Sequence, residues 1–308
     1  MTTATIPNQV AEISDADERH ARAAWSVITE PGDGLAGTLV QQLGHAAALA
    51  ALEGNLAELD DISPGLTAQA ASWMPRLRST AIADALRIAE RQEIRMVDPA
   101  TVPGIADLGV HAPHVLWVSG DVHALAAPRS LALIGARAAS AYGETVCAEI
   151  ARELVDAGVT LHAGLAYGID AATHRTALSS GGRTVAWLGG GVDRVYPAGH
   201  VMLGAQIAGS AGYALVSQVA PGAAPTKWRF LQRNAVLAAG SQAMVVVEAG
   251  WRSGTLHAAG HAAALGRGLG AVPGSITSAT SAGCHRLLRE RSAIAITSGA
   301  DALELLEQ

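Results

Sequence analysis

Glycine-rich segments that carry cations recur in the second half of the sequence, each directly after a short apolar run. The first extends from Gly135 to Gly143 and contains Arg137 and Ser140. Glycine permits close approach of the backbone, a helix start offers unpaired N–H groups, and arginine can contact two phosphate oxygens at once. The segment therefore predicts an anion-binding loop. A tight strand-to-helix turn with an exposed arginine is the alternative interpretation.

Two further segments have the same character. Gly164, Tyr167 and Gly168 follow the next apolar run and precede a helical pattern. The ring of Tyr167 is suited to stacking on a base, whereas Asp170 suits a capping role at the helix start. The segment 188–197 contains three consecutive glycines, which cost more conformational entropy than a plain spacer requires. Both segments are therefore candidates for close contact with a ligand.

A fourth segment, 221–234, interleaves cations with aromatic rings. Its candidate contacts are the only lysine of the chain, Lys227, with Arg229, Phe230, Arg233 and Asn234. Positive charges follow the phosphates of a single strand while rings stack on its bases. The pattern thus predicts a contact with single-stranded nucleic acid. The start of an amphipathic helix with Phe230 in the core is the alternative.

The fifth segment follows the apolar run that ends at Val247. Arg252, Ser253 and Gly254 stand at a predicted helix start, where a guanidinium, a hydroxyl and free N–H groups can hold a phosphate. Glu248 precedes them and is interpreted as a structural carboxylate. If the carboxyl ends of parallel strands meet at one edge, all five segments converge there.

Motifs for catalysis are missing from the sequence. The glycine spacing fits neither the G-x-G-x-x-G nor the G-x-x-x-x-G-K-[ST] fingerprint, and no G-x-S-x-G elbow occurs. His257 and His261 have the spacing of two metal ligands, but Ala258 replaces the glutamate of H-E-x-x-H. We therefore expect no enzyme, no metal and no cofactor. A nucleotide hydrolase of the lysine-decarboxylase-like Rossmann group, using Glu248, is the enzymatic alternative.

The elements that must position these loops alternate along the chain. Short apolar runs cover 131–134, 160–163, 184–188, 213–217, 243–247 and 270–272, and helical patterns cover 144–157, 169–179, 202–211 and 256–265. Repeated strand–helix units predict an α/β fold, with a parallel sheet covered by helices on both faces. Ligands bind such sheets at the carboxyl ends of the strands.

The preceding part is different in pattern and in charge. Helical patterns cover 15–28, 34–43, 46–52 and 80–91, and 105–117 is interpreted as a connector. We predict a small helical domain over 1–100 with a connector to about 125, followed by the α/β domain over 126–308. The first 130 residues carry a net charge of −8 and the remainder +2, within a total of −6. This asymmetry places a polyanion site in the second part.

Bulk properties indicate a cytoplasmic protein. Charged residues, glycine and proline interrupt every apolar run before the roughly 20 residues of a membrane-spanning helix. Residues 1–9 lack the pattern of a secretory signal. The two cysteines, Cys147 and Cys284, do not make a disulfide framework, which agrees with a reducing compartment.

Taken in order, these segments resemble the DNA processing protein A family (DprA, also called Smf). The G-S-R-x-x-(T/S)-x-Y-G element of the family corresponds to Gly135, Ala136, Arg137, Ser140, Tyr142 and Gly143. Further matches are 164–170 with His174 and Arg175, 188–193 with Tyr196 and Pro197, Phe230 with Arg233 and Asn234, 247–249, 252–254, 272–275, and Gly283 with Cys284. The resemblance spans roughly residues 110–300.

This resemblance implies an extended Rossmann domain preceded by a sterile-alpha-motif-like helical domain. It also implies a homodimer that binds single-stranded DNA in a basic pocket and loads RecA recombinase in natural transformation or recombination. The chain departs from the family at Tyr167 and Ala235, where arginine is common, at Ala136, where serine is common, and at His285, where asparagine is common. A RecA-interaction scaffold with weak DNA binding is therefore a further alternative. Because the sequence ends at Gln308, no C-terminal winged-helix domain is expected.

Overall fold

A computed structural model describes residues 10–54, 56–77 and 79–307 of the chain. Two predictions fall on residues outside these ranges. One is the lack of a secretory signal at residues 1–9, and the other is the lack of a further domain after Gln308. Among the described residues, no single helix is long and apolar enough to cross a membrane. Two neighbouring helices, Gly34–Leu43 and His45–Glu53, reach that length and composition only as a pair, and they are bent by 108° at the break.

The described residues of the N-terminal part include the α-helices α1 (Ala16–Ile28), α2 (Gly34–Leu43), α3 (His45–Glu53), α4 (Leu66–Leu77) and α5 (Ala81–Arg91). Asp15 and Asp33 cap the first two, since their carboxylates accept hydrogen bonds from backbone N–H groups of the first turn. Trp25 and Trp73 are buried between the helices with their rings edge to face and the centroids 5.4 Å apart. These two rings belong to an apolar cluster formed by the N-terminal helices.

In the part of the chain that the structure describes, nine strands form one sheet: β1 (Arg95–Val97), β2 (Leu116–Gly120), β3 (Ser130–Ile134), β4 (Thr160–Ala163), β5 (Arg183–Trp187), β6 (Tyr213–Ser217), β7 (Ala243–Val246), β8 (Gly268–Ala271) and β9 (Ile294–Ala295). The helices among and after them are α6 (Ala141–Asp156), α7 (Ile169–Ser179), α8 (Val201–Ala208), α9 (Lys227–Ala239), α10 (Gly254–Ala264), α11 (Ala282–Glu290) and α12 (Gly299–Glu304). The predicted α/β fold with a parallel sheet and flanking helices is confirmed.

The strand order is β1-β2-β6-β5-β4-β3-β7-β8-β9. All strands from β6 to β9 in this order are parallel, whereas β2 runs antiparallel to β6 and β1 antiparallel to β2. The chain proceeds from β3 outward through β4, β5 and β6 and then returns to the other side of β3 with β7. The position between β3 and β7 is therefore the topological switch point, where open α/β sheets bind ligands.

Both faces of the sheet are covered by apolar side chains. On β3, Leu131 and Leu133 pack with Cys147 and Leu154 of α6, while Ala132 and Ile134 belong to the core on the opposite face. Each central strand is completely buried, which explains why it appears in the sequence as a continuous apolar run.

The connector interpretation of 105–117 is wrong at its end, because Leu116 begins β2. Pro103 and Pro113 suggested a loop, yet residues 117–120 pair with β6 and cover the edge that β6 would otherwise expose. A core formed by Ala85, Ala89 and Met96 with Trp117 joins the helical part to the sheet. The division into two domains near residues 100–125 stays a prediction.

Candidate nucleic-acid interface

A cavity of about 870 Å³ opens at the switch point, beside the ends of β3 and β7. Eight of the residues predicted from the sequence line it: Gly135, Arg137, Lys227, Phe230, Arg233, Asn234, Ser253 and Gly254. They come from three of the five predicted segments. The expected convergence of these loops at one edge of the sheet is thus observed.

Phe230 lies at the centre of the cationic part of this cavity. The guanidinium carbons of Arg137 and Arg233 are 5.4 Å and 5.8 Å from its ring centroid, within the range of cation–π attraction. Gly189 packs against the same ring, where a Cβ atom would come within 2.9 Å of it. The glycine-rich segment after β5 therefore contributes room for Phe230.

Arg233 is buried, with only 6% of its surface exposed, although it lines the cavity. Its Nη1 donates a hydrogen bond to the carbonyl oxygen of Trp187 at 2.8 Å, and its guanidinium lies directly against Gly164, leaving no room for a Cβ there. Burial lowers the pKa of Arg233, and the negative charge of Asp170 acts in the opposite direction. Arg233 is thus a fixed positive charge in the floor of the cavity.

Asp170, interpreted from the sequence as a capping residue, is the anionic partner in that floor. Its Oδ2 accepts hydrogen bonds from the N–H groups of Gly164 and Ala166 at 3.0 and 3.3 Å. Burial raises its pKa, while Arg233 and these N–H groups partly counter that shift. The residue shapes the turn after β4 and also lines the cavity.

Ser140 and Gly143 act behind the cavity rather than in its lining. The N–H and hydroxyl of Ser140 donate to the two carboxylate oxygens of Glu248 at 2.9 and 2.6 Å, and the Ser140 hydroxyl accepts from the N–H of Gly143. Thr280 donates a third hydrogen bond to Glu248. Because a Cβ at Gly143 would overlap the Glu248 carboxylate, a glycine is required there. The structural interpretation of Glu248 agrees with these contacts.

Two helices begin at the cavity wall. Ser253 caps α10 by accepting from the N–H of Thr255, and the Thr255 hydroxyl donates to the carbonyl of Gly135 at 3.0 Å. Asn234 Nδ2 donates to the carbonyl of Gly254 at 3.3 Å, which joins α9 to this turn. The starts of both helices therefore bring N–H groups and their partial positive charge to the cavity.

The other predicted residues lie outside the lining. Gly168 has φ of +71°, and a Cβ there would overlap the carbonyl oxygens of Ala136 and Arg137, so it fixes one loop against another. Tyr167 is half exposed, with its ring 4.7 Å from that of His200. Arg252 is exposed beside the cavity.

Arg229 points away from the cavity. Its Nε and Nη2 donate to the two carboxylate oxygens of Glu30 at 3.0 and 3.1 Å, and Nη1 donates to the carbonyl of Ala224. Arg76 also pairs with Glu30 at 3.0 Å. Although burial alone would raise it, these two guanidiniums hold the pKa of Glu30 below its usual value. Arg229 therefore anchors the first turn of α9 to the N-terminal helices.

Sequence reasoning did not assign Tyr196 and Thr255 individually, although both line the cavity. The Tyr196 ring is half exposed, and its centroid lies 5.6 Å from that of Phe230. The tyrosine belongs to the glycine-rich segment 188–197, which is the signal that could have found it. Of the departures from the family, Ala136 lines the cavity, Ala235 is buried on α9, and His285 Nε2 lies 3.0 Å from the carbonyl oxygen of Gly274.

Within the described ranges, no group of three or more His, Cys, Asp or Glu side chains is arranged to hold a metal ion. His257 and His261 face each other with ring centroids 4.6 Å apart. Cys147 and Cys284 are both free thiols, and burial raises the pKa of each to about 12. Neither thiol is an activated nucleophile.

Sequence relatives match the α/β part of the chain. A DprA of Mycobacterium tuberculosis is 48% identical over 197 residues, covering 64% of this chain and 50% of that protein. DNA processing protein DprA of Streptococcus pneumoniae is 37% identical over 200 residues, covering 64% of this chain and 68% of the relative. Protein Smf of Escherichia coli is 38% identical over 195 residues, covering 63% and 51%. The matched part spans about half the length of the first and third of these relatives.

Solved structures agree with these relatives. DNA processing protein A of Streptococcus pneumoniae superposes with a TM-score of 0.75 at 29% identity, covering 95% of this chain and 98% of that one. The Helicobacter pylori protein, described for its mode of binding single-stranded DNA, gives a TM-score of 0.60 at 26% identity over 67% of this chain and 93% of its own. The family model for DNA recombination-mediator protein A matches residues 98–307. The chain therefore belongs to the DNA recombination-mediator protein A family.

Proposed function

We propose that this chain binds single-stranded DNA in the cavity at the switch point and loads a RecA-type recombinase onto the bound strand. The observation that carries the proposal is the grouping of Arg137, Lys227 and Phe230 around one cavity that also receives the starts of α9 and α10. Cations and N–H groups suit phosphates, and aromatic rings suit unpaired bases. The Helicobacter pylori relative, described as binding single-stranded DNA, supports the same ligand.

The positions of the predicted contacts refine this proposal. Arg137 and Lys227 are exposed and suit direct contact with phosphates, whereas the buried Arg233 acts as a fixed charge beneath Phe230. Ser253 and Gly254 offer the start of α10, and Asn234 holds that turn against α9. Arg252 extends the site along the rim. We assign to Arg229 a positioning role through Glu30 rather than a contact with DNA.

The hydrolase alternative receives less support from the site. A general base needs a lone pair that can reach a proton of the substrate or of water. Glu248 is 2% exposed, does not line the cavity, and accepts hydrogen bonds from Ser140 and Thr280 on its two oxygens. The proposed function is therefore binding without catalysis.

The partner and assembly parts of the proposal rest on family membership. The family description as a recombination mediator supports a role at the step where a recombinase replaces other proteins on single strands. The resemblance also supports a homodimer that acts in the cytoplasm. Light scattering tests whether the chain forms a dimer. Loading is tested by measuring ATP hydrolysis by RecA on single strands that carry a competing single-strand-binding protein. Faster onset of hydrolysis with this chain present supports loading, and an unchanged onset contradicts it.

Fluorescence anisotropy with a labelled single strand tests the cavity as the DNA site. Arg137→Glu reverses a charge at the cavity mouth, so we expect binding to weaken by about 10-fold or more. The matched control is Arg183→Glu, because Arg183 is also exposed but stands at the amino end of β5, on the opposite edge of the sheet. We expect the control to bind within about 2-fold of the wild type. Equal binding by both variants would remove the cavity from the proposal.

A scaffold that contacts the recombinase but binds DNA weakly predicts another pattern. Under that alternative, the wild type shows little salt-sensitive binding to single strands, yet it binds the recombinase directly. Direct binding of the recombinase by a chain that lacks affinity for DNA would favour the scaffold over the proposed function.

A further inference from the structure

The aromatic side chains of this protein divide sharply between the core and one edge of the sheet. Four tryptophans, Trp25, Trp73, Trp117 and Trp187, are completely or almost completely buried. Among the described residues, the aromatic rings that are substantially exposed are five, each between 49% and 58% exposed: Tyr142, Tyr167, Tyr196, Trp228 and Trp251. Large exposed rings of this kind are expensive to leave in water and mark contact surfaces.

All five exposed rings lie beyond the carboxyl ends of strands, one for each of five adjacent strands. Along the chain, Trp228 comes after β6, Tyr196 after β5, Tyr167 after β4, Tyr142 after β3 and Trp251 after β7. Two of these side chains reach other loops: the Tyr196 ring lies 5.6 Å from that of Phe230 on α9, and the Tyr142 hydroxyl donates to the carbonyl oxygen of Pro273 after β8. The five rings, which we call the row, therefore belong to five different loops of this edge.

The row passes the proposed DNA cavity and continues beyond it on both sides. Tyr196 lines the cavity, Trp228 follows the lining residue Lys227, and Trp251 stands between the lining residues Gly250 and Ser253. The guanidinium carbon of Arg286 lies 5.3 Å from the Trp251 ring centroid. A base that stacks on Trp251 would thus meet a ring already paired with a cation.

The charges along this edge are suited to a phosphate backbone. In the five loops and the first helical turns after them, the exposed charged residues are four cations and one acid: Arg137, Arg194, Lys227, Arg252 and Glu144. Arg194 lies 3.8 Å from the carboxylate of the partly buried Asp193, so Arg137, Lys227 and Arg252 are the cations that carry the argument. This excess of cations contrasts with the net charge of −6 of the whole chain. Alternating rings and cations are how proteins hold a single strand without reading its sequence.

We propose that the five exposed rings form a stacking track for an extended single strand, so that the binding site covers several nucleotides on both sides of the cavity. This inference rests on the proposed function, which needs only the cavity. A surface that binds a protein partner typically has a contiguous apolar patch with few charges at its centre. The distribution of the rings over five loops and the cations in those loops favour a single-stranded nucleic acid.

The length of the oligonucleotide separates the track from the cavity. We would titrate single strands of about 2 and about 15 nucleotides against the wild type and against the double variant Trp228→Ala with Trp251→Ala. Each stacked base contributes about 5-fold or more in affinity, so we expect the double variant to bind the long strand at least about 25-fold more weakly. Binding of the short strand, which the cavity alone can hold, should change little.

Conservative and charge variants complete the test. Replacement of both tryptophans by phenylalanine retains rings and should restore most of the affinity for the long strand, whereas a structural defect would not be rescued in this way. Leu43→Ala removes an exposed apolar side chain at the end of α2, outside the five loops, and serves as the control.

The outcomes distinguish the track from the proposed function. In one outcome, Arg137→Glu weakens binding of both strands while the double alanine variant binds both like the wild type. The stacking track is then wrong, and the cavity remains the proposed DNA site. The exposed rings become candidates for a protein contact. If Arg137→Glu also leaves binding unchanged, the proposed function itself fails. Loss confined to the long strand in the alanine variant supports the track.

Discussion

Glu248 and Ser140 are joined by two hydrogen bonds, of 2.9 and 2.6 Å, although they follow different strands of the sheet and lie 108 residues apart in the chain. This pair fixes the loop after β3 to the loop after β7. Because the two loops border the switch point, the pair determines the width of the cavity mouth and the position of Arg137. The structural role of Glu248 can therefore be tested through both stability and binding.

Glu248→Gln should lower the free energy of unfolding by about 2–3 kcal/mol. An amide presents a donor where the buried carboxylate accepts from Ser140 or Thr280, so one of these groups loses its partner. We also expect weaker binding of single-stranded DNA, because the Arg137 loop loses its anchor. Urea denaturation followed by circular dichroism measures the first effect.

Glu144→Gln is the matched control, since Glu144 is an exposed acid in the first turn of α6, the helix that Ser140 caps. It should change stability by no more than about 0.5 kcal/mol. Equal stability of Glu248→Gln and the wild type would contradict the anchoring role.

Lys227 and Arg229 are cations of the same helical turn with different predicted effects. Lys227 lines the cavity, so Lys227→Ala should reduce the salt dependence of DNA binding by about one phosphate contact. Arg229 is held by Glu30, so Arg229→Ala should leave the salt dependence unchanged and lower the free energy of unfolding by about 1 kcal/mol. Anisotropy titrations across a salt series and urea denaturation measure the two quantities.

Glu30→Gln provides the complementary variant, because it weakens the same ion pair from the other side. Because Glu30 also pairs with Arg76, this variant should lose at least as much stability as Arg229→Ala. A lower salt dependence in Arg229→Ala, equal to that of Lys227→Ala, would instead place Arg229 on the DNA.

Two buried histidines predict that stability declines in mild acid. His162 and His174 are at most 1% exposed, and burial lowers the pKa of each to about 3 from the usual 6.5. As the pH falls below about 6.5, the unfolded chain binds protons that the folded chain does not. The free energy of unfolding therefore falls between about pH 6.5 and 3, by about 2 kcal/mol for each histidine at pH 5.

His174→Asn tests this dependence at one site. Thr184 donates to the carbonyl of Leu161, so Nδ1 of His174 donates to the Thr184 hydroxyl at 2.8 Å, a bond that the asparagine amide can replace. The variant should lose less stability than the wild type between pH 7 and 5 in urea denaturation. His20→Asn, at an exposed position, should behave like the wild type. An unchanged pH dependence in His174→Asn would show that His174 is not responsible.

Asp170 and Arg233 should be energetically coupled. Arg233→Met leaves the buried Asp170 carboxylate without its compensating charge, so we expect a loss of about 3–5 kcal/mol. Asp170→Asn removes the charge that Arg233 compensates. In a double-mutant cycle, the combined variant should lose less stability than the sum of the single losses by at least about 1 kcal/mol. Additive losses would mean that the two charges do not interact.

Local patterns in the sequence were sufficient to predict the central sheet. The ranges 160–163 and 213–217 coincide with β4 and β6, because buried parallel strands leave an uninterrupted apolar run. The same patterns predicted that the loops after β3, β6 and β7 meet at one edge. Strand β2 was not predicted, since pairing with β6 depends on which edge is left open, and nearby prolines suggested a loop.

The direction of individual side chains could not be predicted from the sequence. Arg229 and Arg233 occur in the same basic and aromatic segment, yet Arg229 is bound by Glu30, which lies 199 residues away, and Arg233 is buried beside Trp187. Tyr196 received no individual role because its proximity to Phe230 depends on how two loops pack. Such long-range pairs leave no signal in local spacing.

The preference for single strands over duplex DNA is the central claim, and anisotropy titration of both ligands with the wild-type chain across a salt series tests it most directly. We predict tighter binding of the single strand, with the logarithm of the affinity falling linearly with the logarithm of salt concentration by about 0.7 for each phosphate contacted. Equal affinity for the duplex, or binding that does not depend on salt, would contradict the account.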